Sequence, residues 1–153
     1  MIVIDTNALV ILLIGMVDPR QFKTHKATSI YTEKDYLRLL KYIGKLEHLL
    51  TLPNILTEAG NLLNRFQGDL RYGYARAFLE LVNRSTERYL PSTGATDDYR
   101  LSELGLADTL LLQLAETTES TVISGDSQLA DYARAAGLNV VDLVALRNQD
   151  FLK

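Results

Sequence analysis

The chain has 153 residues, 47% of them hydrophobic and 23% charged, which suits one folded domain with a core of its own. That composition excludes a disordered tail and a small disulfide scaffold, and the lack of cysteine excludes thiol catalysis, cysteine-ligated zinc and iron–sulfur clusters. The net charge of −3 is unevenly spread, with −1 over residues 1–17, +4 over 18–90 and −6 over 91–153, so a part suited to phosphate stands beside a part that gathers carboxylates.

Ile2-Val3-Ile4 reads as a short buried strand, followed by the polar corner Asp5-Thr6-Asn7 and an apolar helix over Ala8–Val17. A membrane span needs roughly 20 such residues, and that run is too short for one. An acid at position 5 stands where a signal peptide carries basic residues, so a cytoplasmic protein with no membrane segment is expected. Residues 18–32 show no periodicity and read as a long connection bearing Arg20, Lys23 and Lys26.

From Glu33 to Leu50 the spacing of Tyr36, Leu39, Leu40, Ile43, Leu46 and Leu50 predicts one helix. Lys34, Arg38, Lys41 and Lys45 recur at steps of 4, 3 and 4, forming a basic stripe on its other face that is a candidate contact for phosphates. A plain solvated face is the alternative for that stripe. Pro53 opens the next helix, with Ile55, Leu56, Ala59, Leu62, Leu63 and Phe66 inward and Glu58 among them. A further helix is expected over Leu70–Tyr89, with Ala75, Phe78, Leu79 and Val82 inward and Arg76, Glu80, Arg84 and Arg88 outward, before a polar loop at 91–96.

Leu104–Thr117 predicts a strongly apolar helix and Thr121–Ser124 a buried strand. A short helix carries Leu129, Tyr132, Ala133 and Ala136, Gly137 stops it, and Val140-Val141 is the last strand. Strands alternating with helices predict a single α/β domain over 1–153, a three-layer sandwich whose central, mainly parallel sheet is flanked by helices, with a long basic loop and helix at about 18–50.

Most of the nineteen acids, including Glu33, Asp35, Glu47, Glu80, Glu87, Glu116, Glu119 and Asp131, fall on expected outer faces. Four do not. Asp5 ends the first strand and Asp126 follows the strand TVIS, which places both at carboxyl ends of strands, where open α/β sheets bind ligands. Glu58 and Asp108 occupy helix positions that the apolar pattern would fill, and Asp108 has Leu104, Leu111 and Leu112 one turn away. A buried carboxylate without a partner is costly, so a cation shared by several acids is the economical explanation. An all-oxygen donor set suits Mg²⁺ or Mn²⁺. His25 and His48 read as surface residues and Asp97-Asp98 as a helix cap.

The segments IVIDTNALV, PNILTEAGNLL, LGLADTLLLQLA and TVISGDSQLADYARAAGLNVVDL together resemble the four acidic motifs of the PIN-domain nucleases, in order and across the whole chain. The resemblance implies a metal-dependent ribonuclease that hydrolyses phosphodiester bonds with Mg²⁺ or Mn²⁺, and a metal site of Asp5, Glu58, Asp108 and Asp126. It further implies that Asn7 orients the first acid and that Ser124 is the hydroxyl residue two before the fourth. Where many members carry one more acid after the fourth, this chain has Ser127 and Gln128, which leaves the metal count at one or two. Similarity to single-domain VapC-type toxins implies a homodimer and an antitoxin partner. A non-enzymatic PIN-like module that binds RNA or protein is the alternative. A receiver-like or haloacid-dehalogenase-like phosphoryl enzyme would want an acid at position 7, which is Asn7, and GxSxG, Walker A and GxGxxG patterns are absent.

Overall fold

Strand β1 (Ile2–Ile4) forms the centre of a sheet because its residues are apolar on both faces, as strands covered on both sides must be. The structure, a computed structural model describing residues 1–66 and 68–152, places β2 (Leu49–Thr51) beside β1 and β3 (Thr86–Glu87) beyond it. On the other side of β1 lie β4 (Thr121–Ser124) and then β5 (Val140–Asp142), giving the order β3-β2-β1-β4-β5. All four pairings are parallel, with Val3 opposite Leu50 on one side and Val122 on the other. Helices cover the sheet in a three-layer α/β sandwich, as expected from the sequence.

The chain runs outward from β1 to β3 and then returns to start again at β4. The order of strands therefore reverses between β1 and β4, and the crevice at the carboxyl ends of those two strands is where such sheets accept ligands. Helix α1 (Thr6–Val17) leaves β1 at that edge and is buried without a break from Ala8 to Gly15. A helix apolar all round belongs inside a protein, and α1 is wrapped by α2 (Glu33–Ile43), α3 (Pro53–Asn64) and α4 (Arg71–Arg84). After the short α5 (Leu101–Leu104), α6 (Leu106–Thr118) packs on β1 and β4, and α7 (Ser127–Ala135) packs on β4 and β5. No helix among the described residues is long and apolar enough to cross a membrane.

Several elements differ from the expectations. The helix expected over 33–50 stops at Ile43, because Gly44 takes a positive φ of 74°, and the chain turns through a 3-10 segment, Leu46–His48, into β2. Leu46 and Leu50 keep helical spacing with Ile43 by coincidence, which hid the strand. Residues 18–32 are not an open loop: two 3-10 segments, Pro19–Thr24 and Lys26–Thr28, bury Phe22 and Thr28. Helix α4 turns Tyr74, Ala77 and Leu81 inward, one position away from the expected face, so Ala75 and Leu79 are exposed. Asp142 caps an unexpected last helix, α8 (Leu143–Asp150), by accepting from the Ala145 N–H at 3.0 Å.

Candidate active site

Asp5 is held by three protein groups. It caps α1 by accepting from the Ala8 N–H at 2.8 Å, and it accepts from the Ser124 hydroxyl at 2.5 Å and from the Gly125 N–H, which lies 3.1 Å from both of its oxygens. These contacts tie the end of β1 to the end of β4. Gly125 makes this possible by close approach, since a Cβ there would lie 3.0 Å from Asn7 Cβ and 3.3 Å from the Ala8 nitrogen. Burial nevertheless pushes the Asp5 pKa up to about 6, against the opposing effect of its hydrogen bonds to Ser124, Ala8 and Gly125.

Asp126 caps α7, with one oxygen accepting from the Gln128 and Leu129 N–H groups at 2.9 and 3.4 Å. Its nitrogen donates to Ser124 Oγ at 2.9 Å. The Ser124 hydroxyl has a single proton and two acceptors in reach, Asp5 at 2.5 Å and the Asp126 carbonyl at 2.8 Å. While Asp5 is ionised, the hydroxyl donates its hydrogen bond to that charged acceptor. Once Asp5 is protonated it becomes the donor to Ser124, which is then free to donate to Asp126. Ser124 thus links the first and fourth acids.

Glu58 projects from α3 and accepts from the Thr6 hydroxyl at 2.8 Å, so the first turn of α1 orients this acid as well. Asp108 lies in the first turn of α6 and makes no side-chain hydrogen bond or ion pair among the described residues. A carboxylate near a helix amino terminus should be favoured by the helix dipole. Here the environment outweighs that effect: burial first, then the charges of Asp5, Glu58 and Asp126, push the Asp108 pKa up to about 7.

These four acids line one open cleft of about 350 Å³ at the carboxyl edge of β1 and β4. Thr6, Asn7, Asn61, Leu62 and Arg65 complete its walls. The structure thus brings together the four acids singled out in the sequence, from four different elements. Asn7 is exposed and lines the cleft, but it makes no side-chain hydrogen bond among the described residues; Ala8, Ser124 and Gly125 orient Asp5. Capping accounts for Asp5 and Asp126 in part, and it leaves Asp108 unexplained.

The donor set fits a hard divalent cation, since it is all carboxylate oxygen and includes oxygens of Glu58, Asp108 and Asp126 that no protein group engages among the described residues. As the side chains stand, no three acidic or imidazole groups among the described residues are close enough to enclose an ion.

Other candidates fall elsewhere. None of Lys34, Arg38, Lys41 and Lys45 lines the carboxylate cleft. Lys34 and Arg38 both pair with Asp150, at 3.5 and 2.8 Å, and Arg38 also stands 3.8 Å from Asp35. Lys41 and Lys45 make no ion pair among the described residues, and Lys45 lies beyond the end of α2, so the four do not share one helix. Asp35, expected on an outer face, is buried in a capping box with Thr32. Asp97 and Asp98 do not cap the following helix, since Arg100 stands at the N-cap position of α5 with no side-chain cap; Asp98 instead accepts from the Arg100 N–H and holds the buried Arg100 guanidinium at 2.8 Å. His48 is exposed as expected, whereas His25 is half-buried and stacks on Phe66 with ring centroids 3.7 Å apart.

Sequence reasoning missed Arg65, the one basic residue lining the cleft among the described residues. Its signal was faint: a cation ending an amphipathic helix reads as an ordinary partner of the helix dipole. Thr6 was equally silent, because a threonine after a capping aspartate reads as part of the turn. No family model, no curated protein and no solved structure matches this chain.

Proposed function

We propose that the protein is a divalent-metal-dependent phosphodiesterase acting on RNA. The observation that carries the reading is the convergence of Asp5, Glu58, Asp108 and Asp126 on one cleft, with Asp108 raised to about 7 by burial and by the other three. Four carboxylates assembled without a compensating cation destabilise one another, and a fold that keeps them together at the ligand-binding edge of its sheet is built for a cation. The PIN-like order of the four motifs supports the same reading.

The four acids would hold the ion through their oxygens. When bound, Mg²⁺ or Mn²⁺ supplies an activated water and offsets negative charge on the attacked phosphate. Thr6 and Ser124 fix the carboxylates of Glu58 and Asp5 at 2.8 and 2.5 Å, so neither has to reorganise when substrate arrives. Arg65, on the wall of the same cleft, is placed to meet a phosphate oxygen. Lys41 and Lys45 on the outer surface are the members of the basic group left for more distant phosphates. The setting proposed with this activity, a homodimeric toxin restrained by a protein antitoxin, draws its support from the resemblance of the sequence motifs.

One observation favours a second reading, a module that binds RNA or protein without cutting: the carboxylates do not enclose an ion as they stand. Incubation of end-labelled single-stranded and structured RNAs with Mn²⁺, Mg²⁺ or EDTA, beside the Asp108→Asn variant, separates the two. Metal-dependent cleavage lost in the variant is the expected result. Binding without cleavage under every condition would establish the second reading instead.

A further inference from the structure

A second cleft, of about 630 Å³, opens beside the carboxylate cleft, and Arg65 lines both. The rings of His25, Phe66 and Tyr74 form an aromatic wall, while Gln21 and Asp69 supply polar groups. His25 and Phe66 stack at an interplanar angle of 20°, and Tyr74 meets them edge-on at 6.0 and 5.9 Å. The His25 Nε2 lies 3.2 Å from the Tyr74 hydroxyl, and burial draws the imidazole pKa below its ordinary value, which favours an uncharged ring. A packing role alone would explain the three rings. It would not explain why the cleft stays open beside them, or why its border with the carboxylates is a guanidinium that makes no ion pair among the described residues.

A stacked aromatic pair with an amide and a carboxylate at hand is the chemistry that recognises a nucleobase, and a cation one step away is what its phosphate needs. We infer that the second cleft receives an unpaired nucleobase next to the phosphate held in the carboxylate cleft, with Arg65 contacting the phosphate group at the boundary. The inference rests on the nuclease reading and narrows its substrate to single-stranded RNA. A base in a duplex is stacked on its neighbours and paired along its edge, and it cannot enter without leaving the helix.

The test uses a 5′-labelled single-stranded RNA that the protein cuts with Mn²⁺, a series in which each nucleotide around the cut is made abasic in turn, and the same RNA annealed to its complement. One abasic position beside the cut should raise KM about tenfold, the usual order for losing one stacked base. The Phe66→Ala and Gln21→Ala variants should bind the parent RNA more weakly and lose that position dependence, and melting curves would show that each remains folded. Arg65→Gln should raise KM for every substrate alike, and the duplex should resist cleavage. Equal cutting of all abasic substrates, or of duplex and single strand, would overturn the inference while leaving the nuclease reading intact. Should the wild-type protein cut no RNA, the nuclease reading fails separately, and fluorescence anisotropy of the same series in EDTA decides this one. A single abasic position that weakens binding supports the base site, and uniform binding overturns it.

Discussion

Replacing Asp108 by Asn should make the metal-free protein more stable at alkaline pH and leave it unchanged only below about pH 4. An acid whose pKa is higher in the folded than in the unfolded state binds an extra proton when folded, so stability falls as pH climbs from the unfolded to the folded value. For Asp108 that window runs from 3.8 to about 7. At about 1.4 kcal/mol per pH unit the full loss is roughly 4 kcal/mol, and solvent screening at the mouth of the open cleft brings the expected difference down to about 2 kcal/mol. Asparagine fills the same space without the charge, and Asp108 has no hydrogen bond among the described residues to lose. For a domain of this size the difference corresponds to about 4–8 °C in Tm. Thermal melts of both proteins in EDTA, at pH 5 and pH 8.5, read it directly. The variant should already lead at pH 5 by about a third of the full difference, and by all of it at pH 8.5. A variant that melts at or below the wild type at pH 8.5 would refute the reasoning, because Asp108 would then be ionised at no cost in the fold.

Adding divalent metal should reverse that order, since Mn²⁺ at a hundredfold excess over its Kd stabilises the wild type by about 2.7 kcal/mol and has no complete site in Asp108→Asn; melts repeated in millimolar Mn²⁺ check it. Ser124→Ala removes the leading interaction that lowers the Asp5 pKa, so Asp5 should titrate higher and the acidic limb of the kcat/KM profile should move to higher pH, with activity down about tenfold. A profile that keeps its acidic limb would count against the role of Ser124. Gly125→Ala forces a Cβ to 3.0 Å from Asn7 Cβ and 3.3 Å from the Ala8 nitrogen, and should cut activity far more than it lowers Tm. Arg100→Met leaves the partly buried Asp98, bonded to it at 2.8 Å, without its counter-charge, and should cost about 2 kcal/mol in urea denaturation without changing the cut site.

The parts of the fold legible in the sequence are those where local pattern and burial agree. Ile2-Val3-Ile4 and Thr121–Ser124 are apolar runs closed by turn-forming residues, and the structure makes them neighbouring strands. The strand Leu49–Thr51 was hidden because its leucines continue a helical spacing across Gly44, and only the positive φ of that glycine reveals the break. The inward face of α4 was misjudged by one position because Tyr74 and Ala77 carry less hydrophobic weight than Leu79, which tertiary packing leaves exposed.

Glu58 and Asp108 were legible because each contradicts the apolar pattern of its helix, and Asp5 and Asp126 because each follows a short apolar strand. Asp108 among leucines is the clearest case, and its raised pKa is the energetic form of that contradiction. Residues that agree with their surroundings escaped. Arg65 ends a helix where a cation is ordinary, Asp35 looks like one more polar residue in a helix's first turn, and His25 lies in a basic stretch whose 3-10 segments fold it onto Phe66. Pairings across the fold, such as Arg38 with Asp150 over 112 positions, have no local trace in the sequence.

The central claim is that Asp5, Glu58, Asp108 and Asp126 act together on one divalent cation. Titration of the metal-free protein with Mn²⁺, followed by the loss of the free-ion electron paramagnetic resonance signal, tests it without any substrate. Saturable binding of one or two ions by the wild type, lost in Asp108→Asn while its melting curve stays cooperative, is the result this account requires. Absence of binding at millimolar Mn²⁺, or equal binding by the variant, would contradict it.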